Sequence, residues 1–190
     1  MDTKAKKKEL RQQLLADRGS LSEEEFLEKS DQIISQLTKH SVFKKANRIH
    51  CYVSLNNRRE VNTHPLIKQI LNGEKEAVVP VTNMENGTLR HVKLNDFNEL
   101  TSNNWGVLEP SSSTKEVEVD SLDLIIVPMV GGDHQKNRIG YGKGFYDRFL
   151  EKVECPAVGL LFESCVVQEV PVEPFDVPLT MLITEQRIIS

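Results

Sequence analysis

The chain has little cysteine, few aromatics, no long apolar run and no surplus of positive charge. Its three cysteines, Cys51, Cys155 and Cys165, form neither a C-x-x-C pair nor a metal-type spacing with histidine. That excludes a disulfide framework and a zinc ribbon. An odd count fits free thiols in a reducing compartment, and Cys51, set in an apolar run, reads as a buried one. No run approaches the roughly 20 apolar residues of a membrane span. The lysine-rich N-terminus lacks the apolar core of a secretory signal. The cytoplasm is the expected location. The 24 basic and 28 acidic side chains leave a net charge of −4, so overall charge gives no footprint of nucleic-acid or membrane binding. With 190 residues, 38% hydrophobic and 27% charged, the chain suits one domain, residues 1–190, with a sizeable core.

Glycine, by contrast, is concentrated. Five of the ten glycines fall between Gly131 and Gly144. An apolar stretch, 122–127, reads as a buried strand and leads into that loop. A helix pattern follows it. Glycine admits positive φ and close approach of a ligand to the backbone. Arg138, Lys143 and Arg148 add positive charge. Backbone N–H groups, fixed cations and a helix start together suit an anion, phosphate above all. The loop matches neither the G-x-x-x-x-G-K-[ST] phosphate loop, because Gly144 follows Lys143, nor G-x-G-x-x-G, because the third glycine comes one residue early. On its residues alone, a plain glycine hairpin with scattered charge stays open beside the phosphate cradle.

In order, residues 3–18 favour helix. Leu10 and Leu14 share one face, and Lys7 and Arg11 share another. Ser22 with Glu25 signals a capping box before a helix over 23–39, whose apolar set is Phe26, Leu27, Ile33, Ile34 and Leu37. Residues 48–54, 77–82, 88–94, 122–127, 157–162 and 181–185 read as strands. A helix pattern runs from Pro65 to about Asn72, and 163–170 could form a short helix. Phe145, Phe149 and Val153, at i, i+4 and i+8, are expected to pack on the sheet. Alternation of strands and helices from residue 23 onward predicts an α/β fold: a three-layer α/β/α domain around a mostly parallel sheet.

The run Arg138-Ile-Gly-Tyr-Gly-Lys-Gly-Phe-Tyr-Asp147 resembles the signature of the 5-formyltetrahydrofolate cyclo-ligase family, roughly R-L-G-x-G-x-G-Y-Y-D after a strand ending in V-P. Three more segments are similar in order and spacing: Lys-x-x-Leu-Arg near the N-terminus, Glu60-Val-Asn-Thr63, and a closing stretch around Asp176. The likeness implies a Rossmann-like sheet distinct from the dinucleotide-binding kind. It also implies ATP-dependent conversion of 5-formyltetrahydrofolate to 5,10-methenyltetrahydrofolate, with ATP as co-substrate and Mg²⁺ as cofactor. On this resemblance Lys7, Lys8 and Arg11 meet the nucleotide, with Arg18 left open. So do Arg138, Ile139, Gly140, Tyr141, Gly142, Lys143, Gly144, Phe145 and Tyr146, with Lys143 and Arg138 as the catalytic cations. Val53, Glu60, Trp105, Tyr141 and Phe145 would meet the folate, and Asp147 and Asp176 the metal. The implied partner is a small molecule, 5-formyltetrahydrofolate and its polyglutamates, bound by a monomer without nucleic acid or membrane.

Bland readings stand beside several of these. Glu60 could be a solvated loop acid, Trp105 a packing residue, and Asp147 a helix-start acid favoured by the dipole. The sequence departs from the family pattern at Asn62, where Asp is usual, at Phe175, where His is common, and at Thr180, where a second Asp is common. Two rival functions remain: another phosphoryl-activating ligase or kinase-like enzyme, and a nucleotide-binding regulator without turnover.

Overall fold

The computed structural model describes residues 2–103, 106–110 and 115–190. Seven strands lie in one sheet: β1 (Arg48–Cys51), β2 (Glu76–Asn83), β3 (Thr88–Leu94), β4 (Leu124–Val127), β5 (Ala157–Leu160), β6 (Met181–Ile183) and β7 (Ile188–Ile189). Their order is β7-β6-β5-β4-β1-β2-β3. The five inner strands are parallel, and the edges β3 and β7 are antiparallel to their neighbours. Parallel strands covered on both faces are apolar throughout, and Leu124, Ile125, Ile126 and Val127 are each fully buried.

Side chains alternate across a strand, and the two faces gather separate cores. One face holds Ile49, Cys51, Val79, Leu124 and Ile126 under α2 (Glu23–Lys39), α3 (Ser41–Lys45) and α4 (His64–Leu71). The other holds Val78, Ile125, Val127 and Leu182 under α1 (Thr3–Gly19) and α5 (Phe145–Leu150). This is the expected three-layer α/β arrangement. The capping box on α2 is present in full, with Ser22 Oγ accepting from Glu25 N–H at 3.2 Å and Glu25 Oε2 accepting from Ser22 N–H at 2.9 Å. Cys51 is buried and carries a free thiol.

Several local readings differ from the sequence expectation. Leu27 is 42% exposed, and Ser30, not Leu27, takes the inward position on α2. Residues 26, 30, 33, 34 and 37 form one stripe at helical spacing, and Ser30 Oγ accepts the Asn62 N–H there. Residues 163–170 form only a 3₁₀ turn at Glu163–Cys165. On α1, Lys7, Arg11, Leu14 and Arg18 share one inward stripe; Lys7, Leu14 and Arg18 are buried. The expected separation of a basic face from a leucine face therefore does not hold.

That stripe fixes where α1 sits. An ideal Cβ on Gly131 would lie 2.4 Å from Leu14 Cδ1, so the helix packs directly on glycine backbone. Arg18 Nη1 donates to the Met129 carbonyl at 3.2 Å. Both contacts hold α1 against the segment that leads from β4 into the glycine loop. A ribbon of Gly131–Gly132 with Arg138–Ile139 opens that loop. Buried Asp133 closes the turn, with Oδ1 accepting from the N–H groups of Gln135 and Asn137 at 2.9 and 3.0 Å.

Candidate active site

A cleft of about 1140 Å³ runs along the C-terminal ends of the parallel strands, where open α/β sheets place their ligands. Its walls come from α1, the glycine loop, the residues after β1, the β2–β3 hairpin and the 173–176 loop. The cleft is large enough for two ligands side by side, since a drug-sized site takes roughly 300–1,000 Å³.

Arg11 reaches across from α1, and its Nε donates to the Gly140 carbonyl at 2.6 Å. Gly142 and Gly144 adopt φ of 84° and 68°, a left-handed backbone that only glycine takes without strain. Lys143 stands exposed between them. Arg148 ties the loop down: Nη2 donates to the Lys143 carbonyl and Nε to the Gly87 carbonyl, both at 2.8 Å. Its charge is thus engaged with backbone rather than presented freely.

Arg138 is 9% exposed. Its Nη2 meets Asp147 Oδ1 at 2.6 Å, and its Nη1 donates to the Val177 carbonyl. Burial pushes the guanidinium below its usual range, and the Asp147 and Asp176 charges oppose that shift. Lys7 Nζ meets Glu173 Oε2 at 2.8 Å and also Asp176 Oδ2. Two of the expected phosphate-binding cations therefore already hold carboxylate partners.

Glu60 lies at the far side, 6% exposed. Its Oε2 accepts from the Leu55 N–H at 2.6 Å, and its Oε1 accepts from the Tyr141 hydroxyl. Burial raises its pKa, and those two hydrogen bonds oppose the rise. A solvated loop acid is excluded. The Tyr141 hydroxyl accepts in turn from Arg18 Nη2 at 2.8 Å.

Every expected ligand-facing residue among the described ones borders this one cleft. Lys7, Lys8 and Arg11 line it from α1, Val53 and Glu60 from the loop after β1, and the glycine run 138–147 and Asp176 complete it. Trp105 lies outside the described residues. Arg18 sits behind the wall, buried and not lining the cleft. Phe145 does not pack into the sheet. It borders the cleft with Arg148 over its ring, and α5 ends at Leu150, so only Phe149 carries the expected inward packing in full. A helix of six residues offers little dipole, so fixed cations and loop N–H groups must supply the attraction for an anion.

The lining also includes Glu173, Arg58 and Phe175, to which the sequence assigned no role. Glu173 and Arg58 look like ordinary loop charges, and Phe175 is 64% exposed on the rim, with Lys7 Nζ 5.6 Å from its ring centre. The closing segment's likeness to the family pattern pointed toward Glu173 and Phe175, whereas Arg58 lies in the loop after β1, two residues before Glu60.

No group of three or more His, Cys, Asp or Glu among the described residues could hold a metal ion. Magnesium, however, seldom uses an all-protein cage; it takes one or two carboxylates together with phosphate and water oxygens. Asp147 and Asp176 flank Arg138 at the cleft. Among the described residues, neither Asp147 Oδ2 nor Asp176 Oδ1 has a hydrogen-bond partner. The donor set therefore fits a metal that arrives with phosphate.

The sequence pattern of the 5-formyltetrahydrofolate cyclo-ligase family matches residues 3–185. The chain belongs to that family. It is 28% identical over 176 residues to a 5-formyltetrahydrofolate cyclo-ligase of Escherichia coli (strain K12), covering 90% of this chain and 96% of that protein. It is 28% identical over 191 residues to the cyclo-ligase of Mus musculus, covering 94% and 93%. The solved structure of Aquifex aeolicus 5,10-methenyltetrahydrofolate synthetase superposes with a TM-score of 0.84 at 32% identity, covering 96% of this chain and 91% of that one.

Proposed function

We propose that this chain converts 5-formyltetrahydrofolate to 5,10-methenyltetrahydrofolate, coupled to conversion of ATP to ADP and phosphate. One observation carries the reading: the glycine signature with its cations and the buried Glu60 face a single cleft with room for both substrates. A carboxylate with two acceptor oxygens suits the N–H donors of a reduced pterin. Glycine backbone ringed by cations suits a triphosphate.

The chemistry follows from the leaving group. A formamide oxygen departs poorly as oxide or hydroxide. The formyl oxygen attacks the γ-phosphorus, the bond to the β-phosphate breaks, and ADP leaves. N10 then attacks the formyl carbon and loses its proton. The C–O bond breaks toward oxygen, phosphate departs, and the five-membered ring closes around a methenyl cation. Closure is intramolecular, so orientation supplies much of the rate. In the phosphoryl step the protein positions and neutralises charge. Lys143 and Arg138 serve the transferred group, and Lys7, Lys8 and Arg11 serve the phosphates from α1. Tyr141 and Phe145 stand between the two halves. Asp147 and Asp176 would hold Mg²⁺, whose chemistry when bound is to offset charge on phosphate oxygens. No covalent enzyme intermediate is needed.

The test mixes protein, 5-formyltetrahydrofolate and Mg·ATP and follows the ultraviolet absorbance of the methenyl product. Product that forms only with ATP is the expected result. Nucleotide binding without product would instead mark a regulator. Lys143→Ala should lower turnover by about 10²-fold, the scale for removing one transition-state charge partner, with unchanged melting because the side chain is exposed. A near-normal rate in that variant would remove the loop from the mechanism.

A further inference from the structure

Arg18 is 2% exposed, lies behind the cleft wall and, among the described residues, touches the site only through Tyr141. A buried guanidinium is a costly way to fill space, and Arg18 Nε has no hydrogen-bond partner among the described residues. Packing alone does not account for it. Its remaining bonds go to the Met129 carbonyl, at 3.2 Å, and to the Tyr141 hydroxyl, at 2.8 Å.

Hydrogen-bond direction follows from the inventory of each group. Arginine has donors and no acceptor. Tyr141 Oη must therefore accept from Arg18, and its single proton is left for Glu60 Oε1. Glu60 Oε2 accepts from the Leu55 amide. Both carboxylate oxygens are thus acceptors, and a proton on either would turn an acceptor site left for the pterin into a donor. We infer that Arg18 is a positioning residue for the folate: acting through the Tyr141 hydroxyl, it holds Glu60 as an ionised pair of acceptors for the pterin N–H groups. This rests on the folate reading of Glu60 given above.

The surroundings of Glu60 show why such a residue is needed. Burial raises the Glu60 pKa. Tyr52 from the end of β1, Tyr141 from the glycine loop and Tyr146 from α5 face it with neutral phenols. Among the described residues, Arg18, and Arg58 from its own loop, bring positive charge. Arg58 is exposed, so solvent screens it. Arg18 is screened far less.

The test uses Arg18→Met, Arg18→Lys and Tyr141→Phe in the full chain. Titration of Glu60 is followed by difference infrared spectroscopy of the ligand-free protein, with Glu60→Gln assigning the band. Arg18→Met and Tyr141→Phe should each move the titration to higher pH, and Arg18→Lys should restore it in part. In turnover, Arg18→Met should raise KM for 5-formyltetrahydrofolate about tenfold, the scale of one charge-assisted hydrogen bond. The acid limb of kcat/KM should shift upward, with KM for ATP unchanged. A Glu60 titration unmoved in both Arg18→Met and Tyr141→Phe overturns the inference. So does a rise confined to the KM for ATP, which would make Arg18 a phosphate ligand. Tyr141→Phe decides the matter if Arg18→Met does not fold. Wild-type protein that makes no methenyl product strikes at the folate function itself, a result distinct from an unmoved titration in an active enzyme.

Discussion

Gly142 shows how much one residue decides in this cleft. Its φ is 84°, and an ideal Cβ there would lie 3.2 Å from the Arg11 guanidinium carbon. Gly142→Ala therefore adds backbone strain of about 1–2 kcal/mol and makes the Arg11 guanidinium give way by a few tenths of an ångström. Melting should fall by about 2–4 °C per kcal/mol lost in a chain of this size. Calorimetry with Mg·ATP should show weaker binding. Gly140 meets nothing within 4 Å and has no positive φ, so Gly140→Ala should leave the melting temperature in place. Equal melting of the two variants would remove the strain argument. The sequence allowed Lys7, Arg11, Arg138, Asp147 and Glu60 to be picked out, because residue type and a local signature suffice for that. It did not reveal their pairings. Lys7 meets Glu173 across 166 positions, and Arg18 meets Tyr141 across 123. Contacts that distant leave no periodic trace.

At the level of elements, legibility follows the length of the repeating pattern. The 17 residues of α2 carry a full apolar stripe and a capping box, and the helix matches its sequence reading, 23–39. β3 carries apolar Leu89, Val92 and Leu94 between polar residues and also matches, 88–94. α5 has six residues, less than two turns, and there the pattern misleads. Phe145, one turn before Phe149, faces ligand space instead of the sheet because Gly144 sets the helix start at the cleft edge. A capped long helix gives a clean stability test. Ser22→Ala removes the acceptor for Glu25 N–H and should cost about 1 kcal/mol, a fall of about 2–4 °C in Tm. Ser22 is remote from the cleft, so kcat and both KM values should not change. A shift in KM for ATP would mean that the α1–α2 junction transmits strain to Lys7 and Arg11.

For the molecule as a whole, the histidines buried between β1, β3 and α5 set the acid limit of stability. His50 is 0% exposed, and neither of its ring nitrogens has a hydrogen-bond partner among the described residues. His91 stacks on Phe149 at 4.1 Å between ring centres and lies 5.1 Å from His50. Burial drives His50 well below the ordinary histidine range, with the nearby His91 adding to the fall. Burial takes His91 down to about 4, with Glu116 opposing and Lys152 assisting. In the unfolded chain both titrate near ~6.5. Below that pH the unfolded state binds more protons than the native one, so stability falls as pH drops from ~6.5 toward 4. The slope is at most about 1.4 kcal/mol per pH unit for each histidine. Glu60 acts with the opposite sign: its raised pKa favours the native state at low pH, and that contribution is lost as pH rises through its titration. One raised carboxyl stands against three depressed imidazoles, since burial lowers His64 as well, and the histidines dominate. Urea unfolding should therefore give a lower free energy at pH 5 than at pH 7. His50→Leu removes two orphaned buried nitrogens, whose replacement by apolar atoms is often neutral or stabilising. The variant should lose less stability over the same interval. An equal loss would shift the acid sensitivity to groups outside this cluster.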